Sequence, residues 1–332
     1  MQNEINTEKT LILSTKPFAV EVRWKSWLLT LTALFLLMVV YFGTYLNFHP
    51  LLRVLCSVMT GLLLVRLFVI YHDHQHHAIL YKSVGGNILF TLFGLFILTP
   101  TSIWKRSHDF HHNHNSKLFS ANIGSYPIMT KREYLSASKK ERFWYLFSRN
   151  PITISCGYVF MFMYGMCVRS FIANPSKHYD SIIALVLHFI SGFCIFWFLG
   201  WQTFLFAWII PFTITCSIGA YLFYAQHNFP GTTFKEKTEW SYVNAAMESS
   251  SFLKMNLFWR WVSANIGYHH IHHLNPRIPF YRLPETMKKI PELQKTKITT
   301  LNPIDIYRCL RLKVWDPEEN RMLTLRELKS CA

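Results

Sequence analysis

Four long apolar runs constrain this sequence more than any other feature. A helix needs about 20 mostly apolar residues to cross the hydrocarbon core of a bilayer. Within that core a chain must satisfy its own backbone hydrogen bonds, and a single apolar run of this length does so as a helix. The sequence therefore predicts an all-α integral membrane protein with four transmembrane helices, at residues 27–48, 51–71, 181–199 and 203–223.

Two shorter apolar stretches, at 84–100 and 152–172, decide the topology. If both lie in the membrane interface, the four spans return the chain to its starting side twice, and all histidine clusters share one face. If only the second stretch crossed, the last cluster would lie opposite the other two. We therefore expect both stretches to be interfacial helices. Residues 101–150 and 224–332 are then a cytosolic helical cap within a single domain that covers residues 1–332.

The basic charge of the chain fits a membrane protein better than a nucleic-acid-binding protein. Lys and Arg number 34 against 18 Asp and Glu, and they gather in the hydrophilic stretches, as is typical of cytoplasmic loops. No recognised nucleic-acid-binding module accompanies this charge, so anionic lipid headgroups are the expected partner. The start of the chain lacks the apolar core of a signal peptide, and we expect both termini in the cytoplasm.

Most of the histidines lie in three short clusters. The clusters read YHDHQHHAIL, WKRSHDFHHNHNS and NIGYHHIHHLNP, with the spacings HxxxH, HxxHH and HxxHH. On a helix, residues three or four apart share a face, so each cluster offers two or three imidazoles to a common point. The residues at these spacings are His72, His76, His108, His111, His112, His269, His272 and His273.

A metal site explains this pattern best. Histidines beside a membrane can also be pH sensors or interfacial residues without a site, but three clusters with matching spacing favour metal binding. His227, in FYAQHNFPG at the end of the fourth span, lies on the same face and brings the number of imidazoles to nine. Nine is too many for one metal ion and enough for two with open positions. Imidazole suits zinc, copper, iron and nickel alike, but only a redox metal could remove hydrogen from an unactivated methylene.

Ligating histidines usually donate their second ring nitrogen to a carboxylate or a carbonyl. Asp73 and Asp109 each follow the first histidine of a cluster and are the candidate partners, although both could equally be surface acids that balance cations such as Lys105. Asn265 precedes His269 by four residues, which on a helix places the two on one face. No catalytic side chain is expected beyond the ligands. The histidines off the spacing are expected to support the ligands or to lie on the surface: His74, His77, His114 and His270.

The three histidine boxes, in this order, resemble those of the membrane fatty acid desaturase family. The flanking FYAQHNFP and NIGYHHIHHLNPRIPFYRL look like the bacterial acyl-lipid delta-12 (omega-6) branch, and the resemblance covers about residues 50–285. It implies four transmembrane helices that carry a cytosolic cap, a di-iron site between them and a hydrophobic tunnel, in the bacterial inner membrane. The ligands that it implies are His72, His76, His108, His111, His112, His227, His269, His272 and His273.

The resemblance also implies how the ligands divide between the two iron ions. Asn265 would touch one iron through a water molecule. One iron would be bound by His72, His76, His108, His112 and His273, and the other by His111, His227, His269 and His272.

The implied reaction is the O2-dependent introduction of a cis double bond into a lipid acyl chain, with delta-12 on an acyl lipid as the preferred position. Dioxygen takes four electrons, two from the acyl chain and two from outside. The sequence has neither an HPGG haem motif nor an iron–sulfur cysteine pattern. The donor is therefore expected to be external cytochrome b5 or ferredoxin, with its reductase.

Two other classes of function stay open from the sequence. The same di-iron scaffold could hydroxylate a lipid, modify a sphingolipid, or act as a carotenoid ketolase or hydroxylase. A histidine-rich metal transporter is a more remote reading, because transport paths carry polar residues inside the spans. The four spans carry almost none beyond Arg53, Arg66 and His188.

Overall fold

The structure, a computed structural model, describes residues 2–46, 49–120 and 123–330. The last two residues of the predicted first span and the outermost residues of the predicted domain lie outside these ranges. The described chain is mainly helical. Up to the end of the last span its α-helices are α1 Gln2–Thr15, α2 Arg23–Gly43, α3 Pro50–Gln75, α4 Val84–Phe96, α5 Thr101–His114, α6 Lys131–Ser136, α7 Lys139–Ser148, α8 Pro151–Ser155, α9 Arg169–Ala173, α10 Tyr179–Phe204 and α11 Ile210–Ala225.

The remaining elements are π-helices, 3-10 helices, short α-helices and strands. The first π-helix is Tyr158–Val168 and the second is Leu205–Ile209. The 3-10 helices are Lys16–Phe18 and Pro291–Lys295. After α11 come α12 Tyr242–Glu248, β1 Phe252–Lys254, α13 Leu257–Val262, α14 His269–Leu274, α15 Leu283–Lys289, β2 Ile298–Thr300, α16 Pro303–Arg311, β3 Leu312–Asp316, β4 Arg321–Thr324 and α17 Leu325–Ser330.

Among the described residues, three helical stretches are long and apolar enough to cross a membrane: α2, α3 and Tyr179–Ala225, which joins α10 to α11. The last stretch breaks at Gly200, whose φ of 81° and ψ of 166° are not helical. Gly192 and Trp208 would be about 24 Å apart on one straight helix. Instead the Trp208 indole nitrogen lies against Gly192, 2.9 Å from where a Cβ would be. The chain therefore turns back at Gly200, and this stretch accounts for the third and fourth predicted spans.

The apolar stretch at 84–100 forms α4 and then turns sharply into α5, with 92° between the two helices. By length and composition the pair fits either a broken span or a re-entrant loop. The turn brings the Thr99 carbonyl so close to Gly94 that a Cβ there would be 2.9 Å from it. This bend carries α5 across the end of α3, because His108 of α5 contacts His72 of α3.

The cap region holds two small sheets and packs against the N-terminal segment. β1 pairs parallel with β2, and β3 pairs antiparallel with β4. Strands of three to five residues are too short for their alternation to be recognised in the sequence. Phe18 clusters with Ile271 and Leu274 of α14, and Asn275 donates a hydrogen bond to Thr15 at 2.9 Å. The N-terminal segment and the third histidine box therefore lie on the same side.

One short helix of the C-terminal region packs directly on the spans. Val262 of α13 clusters with Leu62 and Val65 of α3. The Arg66 guanidinium lies 4.4 Å from the centre of the Trp261 ring and donates a hydrogen bond to the Trp261 carbonyl. The buried Arg66 thus joins α3 to the segment that leads into α14.

Candidate metal centre

All nine histidines named as ligands come together in two groups at the end of α3. Eight are buried and His227 is half-buried. Within each group the facing ring nitrogens lie within 4.8 Å of one another. The five-histidine group contains His72, His76, His108, His112 and His272, and the four-histidine group contains His111, His227, His269 and His273.

Close nitrogen contacts run through the five-histidine group. His108 Nε2 lies 2.8 Å from His72 Nε2 and 3.1 Å from His112 Nε2. His272 Nε2 lies 3.0 Å from His112 Nε2. The Nε2 atom of His76 is buried and has no hydrogen-bond partner among the described residues. The rings therefore turn the same nitrogen toward a common point.

The four-histidine group has the same pattern and is centred on His227. His227 Nε2 lies 3.0 Å from His111 Nε2 and 2.9 Å from His269 Nε2. His273 Nε2 lies 3.1 Å from His269 Nε2. His227 follows α11 and belongs to none of the three boxes, yet it bridges α5 to α14.

These spacings fit a metal ion in each group. A nitrogen ligand lies about 2.0–2.1 Å from a metal such as zinc, so two ligands at right angles on one ion are about 3 Å apart. The contacts of 2.8 to 3.1 Å match that separation. Hydrogen bonds alone cannot satisfy such a cluster, because each neutral imidazole has one N–H. The unpartnered Nε2 of His76 is likewise an atom that a metal ion would satisfy.

Burial lowers the pKa of each imidazole in the four-histidine group and so favours the neutral form, which is the form that binds a metal. Burial lowers the pKa of His227 to about 4, against the opposing effect of its hydrogen bond to the Ser249 main chain. Burial also lowers the pKa of His269 and His273 well below the usual range, and the neighbouring imidazoles lower it further. Unprotonated rings leave a lone pair free for a cation.

Contacts at the outer ring nitrogens orient two members of the four-histidine group. His227 Nδ1 donates to the Ser249 carbonyl at 2.9 Å, so its Nε2 is the unprotonated nitrogen that faces the group. His111 Nδ1 lies 2.6 Å from Ser125 Oγ. Neither partner was predicted, because a serine hydroxyl and a main-chain carbonyl carry no recognisable sequence signal for this role.

The two aspartates that follow the first histidine of a box have different surroundings. Asp73 is buried, with Oδ1 3.4 Å from His72 Nδ1, and its Oδ2 accepts a hydrogen bond from the Phe280 N–H at 2.6 Å. Asp109 pairs with Lys105 at 2.7 Å, and their side chains are 44% and 37% exposed. Of the two, Asp73 lies beside a candidate ligand, His72, whereas Asp109 is a surface acid beside a lysine.

Asn265 does not share a helical face with His269, and that part of the prediction is wrong. α14 begins at His269, and Asn265 lies in the preceding turn with a φ of 60°. Its amide donates to the Phe280 carbonyl at 3.1 Å. A four-residue spacing aligns two side chains only when both belong to one helix.

The grouping of the histidines differs from the implied division at two positions. His272 belongs to the five-histidine group and His273 to the four-histidine group, the reverse of the expectation. With 3.6 residues per turn, His273 lies about 40° from His269 around α14, and His272 lies about 60° away on the other side. His273 therefore stays with His269, while His272 faces the other group.

The second box divides by the same rule. His108 and His112, four residues apart on α5, belong to the five-histidine group, and His111 turns to the four-histidine group. Each HxxHH box therefore serves both groups, with its outer pair in one and its middle histidine in the other. The four histidines off the spacing lie outside both groups: His74, His77, His114 and His270.

In the described part of the chain, a cavity of about 60 Å³ lies beside His111 and His227, and two further, mainly apolar cavities also reach the histidines. The larger, of about 630 Å³, ends at His108 and Trp104 and is walled further out by aromatic residues of α7 and the first π-helix, such as Phe147 and Tyr164. The smaller, of about 50 Å³, touches both groups through histidines and is otherwise mainly apolar. The space beside the two groups is therefore suited to an apolar ligand. The histidines of the smaller cavity are His72, His108 and His269.

Comparisons with known proteins agree with this picture. A family model for fatty acid desaturases matches residues 48–303. The chain is similar to a fatty acid desaturase of Bacillus subtilis (strain 168), 32% identical over 287 residues that cover 84% of this chain and 79% of the relative. An sn-1 oleoyl-lipid 12-desaturase of Anabaena variabilis is 24% identical over 71% of this chain and 67% of its own. For a chloroplastic omega-6 fatty acid desaturase of Spinacia oleracea the identity is 24%, over 70% of this chain and 52% of the relative.

Proposed function

The chain belongs to the fatty acid desaturase family of oxidoreductases, and on that premise we propose that it uses dioxygen to introduce a cis double bond into the acyl chain of a membrane lipid. One observation carries the proposal: nine histidine side chains converge on two adjacent points beside an apolar cavity. Removing hydrogen from a methylene requires a redox centre and a dry, apolar approach to it, and both are supported by this arrangement.

We assign the two points to two iron ions, one in each histidine group. When bound, the iron pair supplies the redox chemistry that activates dioxygen and removes hydrogen from the acyl chain. Imidazole nitrogens are suitable ligands for iron, and neither group has more than five of them, so positions stay open. The part played by the protein is to keep neutral rings facing inward, through outer contacts such as those of Ser125, Asp73 and the Ser249 carbonyl.

The larger cavity is the proposed acyl-chain site. Its volume of about 630 Å³ lies within the range of small-ligand sites. Phe160, Met161 and Tyr164 provide apolar walls, and the inner end reaches His108. Around the smaller cavity, Phe68 and Leu222 would exclude water from the space between the groups.

The proposed position and head group are delta-12 and an acyl lipid. Support comes from the relatives, of which one is named an sn-1 oleoyl-lipid 12-desaturase and another an omega-6 fatty acid desaturase. Exposed apolar side chains on α7 and the first π-helix, among them Trp144 and Tyr164, line the outer part of the larger cavity. A lipid already in the bilayer could therefore reach this cavity without passing through water.

The two remaining electrons are proposed to come from an external carrier, cytochrome b5 or ferredoxin, with its reductase. In balance, the acyl chain loses two hydrogens, the carrier supplies two electrons, two protons are taken up, and dioxygen leaves as two waters. The formal net charge of +16 favours an acidic carrier protein.

The proposed orientation puts both termini, the metal centre and the cap in the cytoplasm of a bacterium whose inner membrane holds the spans. The packing of Phe18 on the α14 cluster supports a common side for the N-terminal segment and the third histidine box. In this arrangement residues 84–100 and 152–172 lie at the interface, and the chain is a single domain.

Fatty acid profiling tests the proposal. Host cells that express the wild-type chain are compared with cells that express His272→Ala, and double-bond positions are determined by derivatisation and mass spectrometry. The matched control is His114→Ala, because His114 lies outside both groups and stacks on Phe110 at 3.8 Å between ring centres.

A new unsaturated acyl chain is expected with the wild type and with His114→Ala, and not with His272→Ala. Delta-12 unsaturation of lipid-bound chains would support the proposed position of the double bond and the proposed acyl-lipid substrate. A hydroxylated or ketolated lipid in place of an alkene would contradict desaturation. Such a product would still agree with an oxidative metal centre. An equal amount of alkene from His272→Ala would contradict the role of the five-histidine group.

A further inference from the structure

The larger cavity, which is the proposed acyl-chain site, has a charged side chain in its wall. Of the described residues that line it, only Arg169 carries a charge, and the others are mainly apolar or aromatic. Arg169 is the first residue of α9, directly after the first π-helix, and it is exposed. Within the described ranges of the chain its guanidinium has no ion pair and no hydrogen bond. The cavity therefore presents an unpaired cation.

The first π-helix brings Arg169 to the wall of the cavity. In a π-helix each N–H bonds to the carbonyl five residues back, so residues four or five apart share a face. Phe160, Tyr164 and Arg169 follow this spacing, and all three line the cavity. On an α-helix, Phe160 and Arg169 would be about two and a half turns apart and would lie on opposite faces. The π-helix thus places the cation on the same wall as the aromatic side chains.

The aromatic residues that share this wall indicate the level of the lipid head groups. Trp144 and Tyr164 line the cavity and are each 57% exposed. Trp and Tyr collect where a bilayer meets water, because their rings are apolar and carry one polar group. Residues 152–172 are expected in the same interface. The long side chain of Arg169 can therefore extend to the head-group layer from the mouth of the cavity.

We propose that Arg169 binds the phosphate of the substrate head group and so selects phosphate-bearing lipids as acyl donors. A guanidinium forms paired, charge-assisted hydrogen bonds with phosphate oxygens, and an uncharged glycolipid offers it no anionic group. The inference rests on the proposed function, since it takes the larger cavity as the acyl-chain site. Arg169 is here a specificity-determining residue, which holds the head group while the acyl chain extends toward His108.

The coenzyme A of a soluble acyl thioester carries phosphate as well, but the surroundings of Arg169 favour a lipid. Phe160 is 40% exposed, and Phe143, next to Trp144 on α7, is 59% exposed. Exposed apolar side chains that gather in this way mark contact with a membrane or another protein. The phosphate is therefore assigned to a phospholipid that enters the cavity from the bilayer.

Lipid binding to the full iron-loaded chain, measured by native mass spectrometry from dodecylmaltoside micelles without a reductant, tests the proposal. The three ligands are dioleoyl phosphatidylglycerol, monogalactosyl dioleoylglycerol and oleoyl-coenzyme A. The wild type should bind the phosphatidylglycerol about tenfold more tightly than the galactolipid, which has the same acyl chains. A charge-assisted hydrogen bond contributes a factor of about this size.

Variants at the cation should change this preference. Arg169→Gln should weaken phosphatidylglycerol binding about tenfold and leave galactolipid binding unchanged, whereas Arg169→Lys keeps the charge and should recover part of the preference. Arg169 is exposed, so neither substitution should prevent folding. Lys177→Gln is the matched control. Lys177 is an exposed cation in the turn after α9 that does not line the cavity, and its loss should leave the preference as in the wild type.

The proposal is overturned if the wild type binds the two lipids equally, if Arg169→Gln keeps the full preference, or if Lys177→Gln loses it as completely as Arg169→Gln. Tighter binding of oleoyl-coenzyme A than of phosphatidylglycerol, lost in Arg169→Gln, would overturn the assignment to a phospholipid. No turnover occurs in this measurement, so its failure is distinct from a failure of the proposed desaturation. A hydroxylated product in fatty acid profiling would contradict desaturation and leave the head-group preference intact.

Discussion

The five-histidine group and the four-histidine group use the same helical spacing but are held in different ways. The first takes His72 and His76 from a transmembrane helix and the residue that follows it, whereas the second takes no member from that helix and depends on His227. In the second group the outer nitrogens of two rings contact Ser125 and a main-chain carbonyl, and in the first Asp73 lies beside one ring. The first group is thus attached to the end of α3, and the second is attached to the end of α11 through His227.

The two groups differ in their number of histidines, and this number affects how firmly each group can hold a metal ion. Loss of one histidine leaves four in the first group but three in the second. Four nitrogen ligands can still close around an ion, while three leave it more weakly held. After loss of one histidine, the four-histidine group should therefore release its metal ion more easily than the five-histidine group.

The largest effect is expected for His227→Ala. It removes the middle member of the four-histidine group, which contacts both His111 and His269. Activity should be lost, and the iron content of the purified protein should fall by about one ion per chain, since a three-ligand site retains metal poorly. Iron is measured by plasma mass spectrometry, and full iron content with full activity would remove His227 from the ligand set.

His272→Ala and His112→Ala should also abolish activity but lower the iron content less. Each leaves four histidines in its group, so we expect the ion to be bound more weakly rather than lost. Iron retention during dialysis against a chelator distinguishes the two groups. Faster loss of iron from these variants than from His227→Ala would contradict the expectation that the four-histidine group loses its ion more easily.

A smaller effect is expected for Asp73→Asn. Its Oδ1 lies 3.4 Å from His72 Nδ1 in a buried position, and loss of a partner of this kind typically costs about 10–100-fold in metal affinity or activity. Asp109→Asn is the matched control: exposed ion pairs contribute about 0–1 kcal/mol, and we expect at most about a twofold change in activity. Equal losses in the two variants would contradict the different roles assigned to the two aspartates.

The smallest of these effects is expected for Ser125→Ala. It removes the hydroxyl 2.6 Å from His111 Nδ1 and should lower iron affinity about tenfold, at the lower end of the range for such contacts. Ser125→Thr retains the hydroxyl and should recover most of the loss. Wild-type iron affinity in Ser125→Ala would show that the hydroxyl does not orient the ring.

The spans and the histidine pairs could be predicted from the sequence because both follow from local geometry. Apolar length indicates a membrane helix, and a four-residue spacing on α5 or α14 places two histidines together wherever that helix lies. Arg66 also stood out in the sequence as a cation within a span, and its stacking on Trp261 could not be foreseen because the two are 195 residues apart.

Three site details were not predicted. The pairing of His273 with His269 follows from their four-residue spacing on α14, but which of the two groups this pair joins depends on how α14 is rotated about its axis. Asn265 was misplaced because the helix begins only at His269, after a turn with positive φ. Ser125 reaches His111 from a loop, a contact to which no periodic pattern points.

Anomalous scattering at the iron edge, measured from crystals of the purified protein, locates any iron ions bound by the histidines. Two iron peaks are expected, one inside the five-histidine group and one inside the four-histidine group, each surrounded by Nε2 atoms. A single peak, or a signal at the zinc edge and none at the iron edge, would contradict the assignment of two iron ions to these histidines.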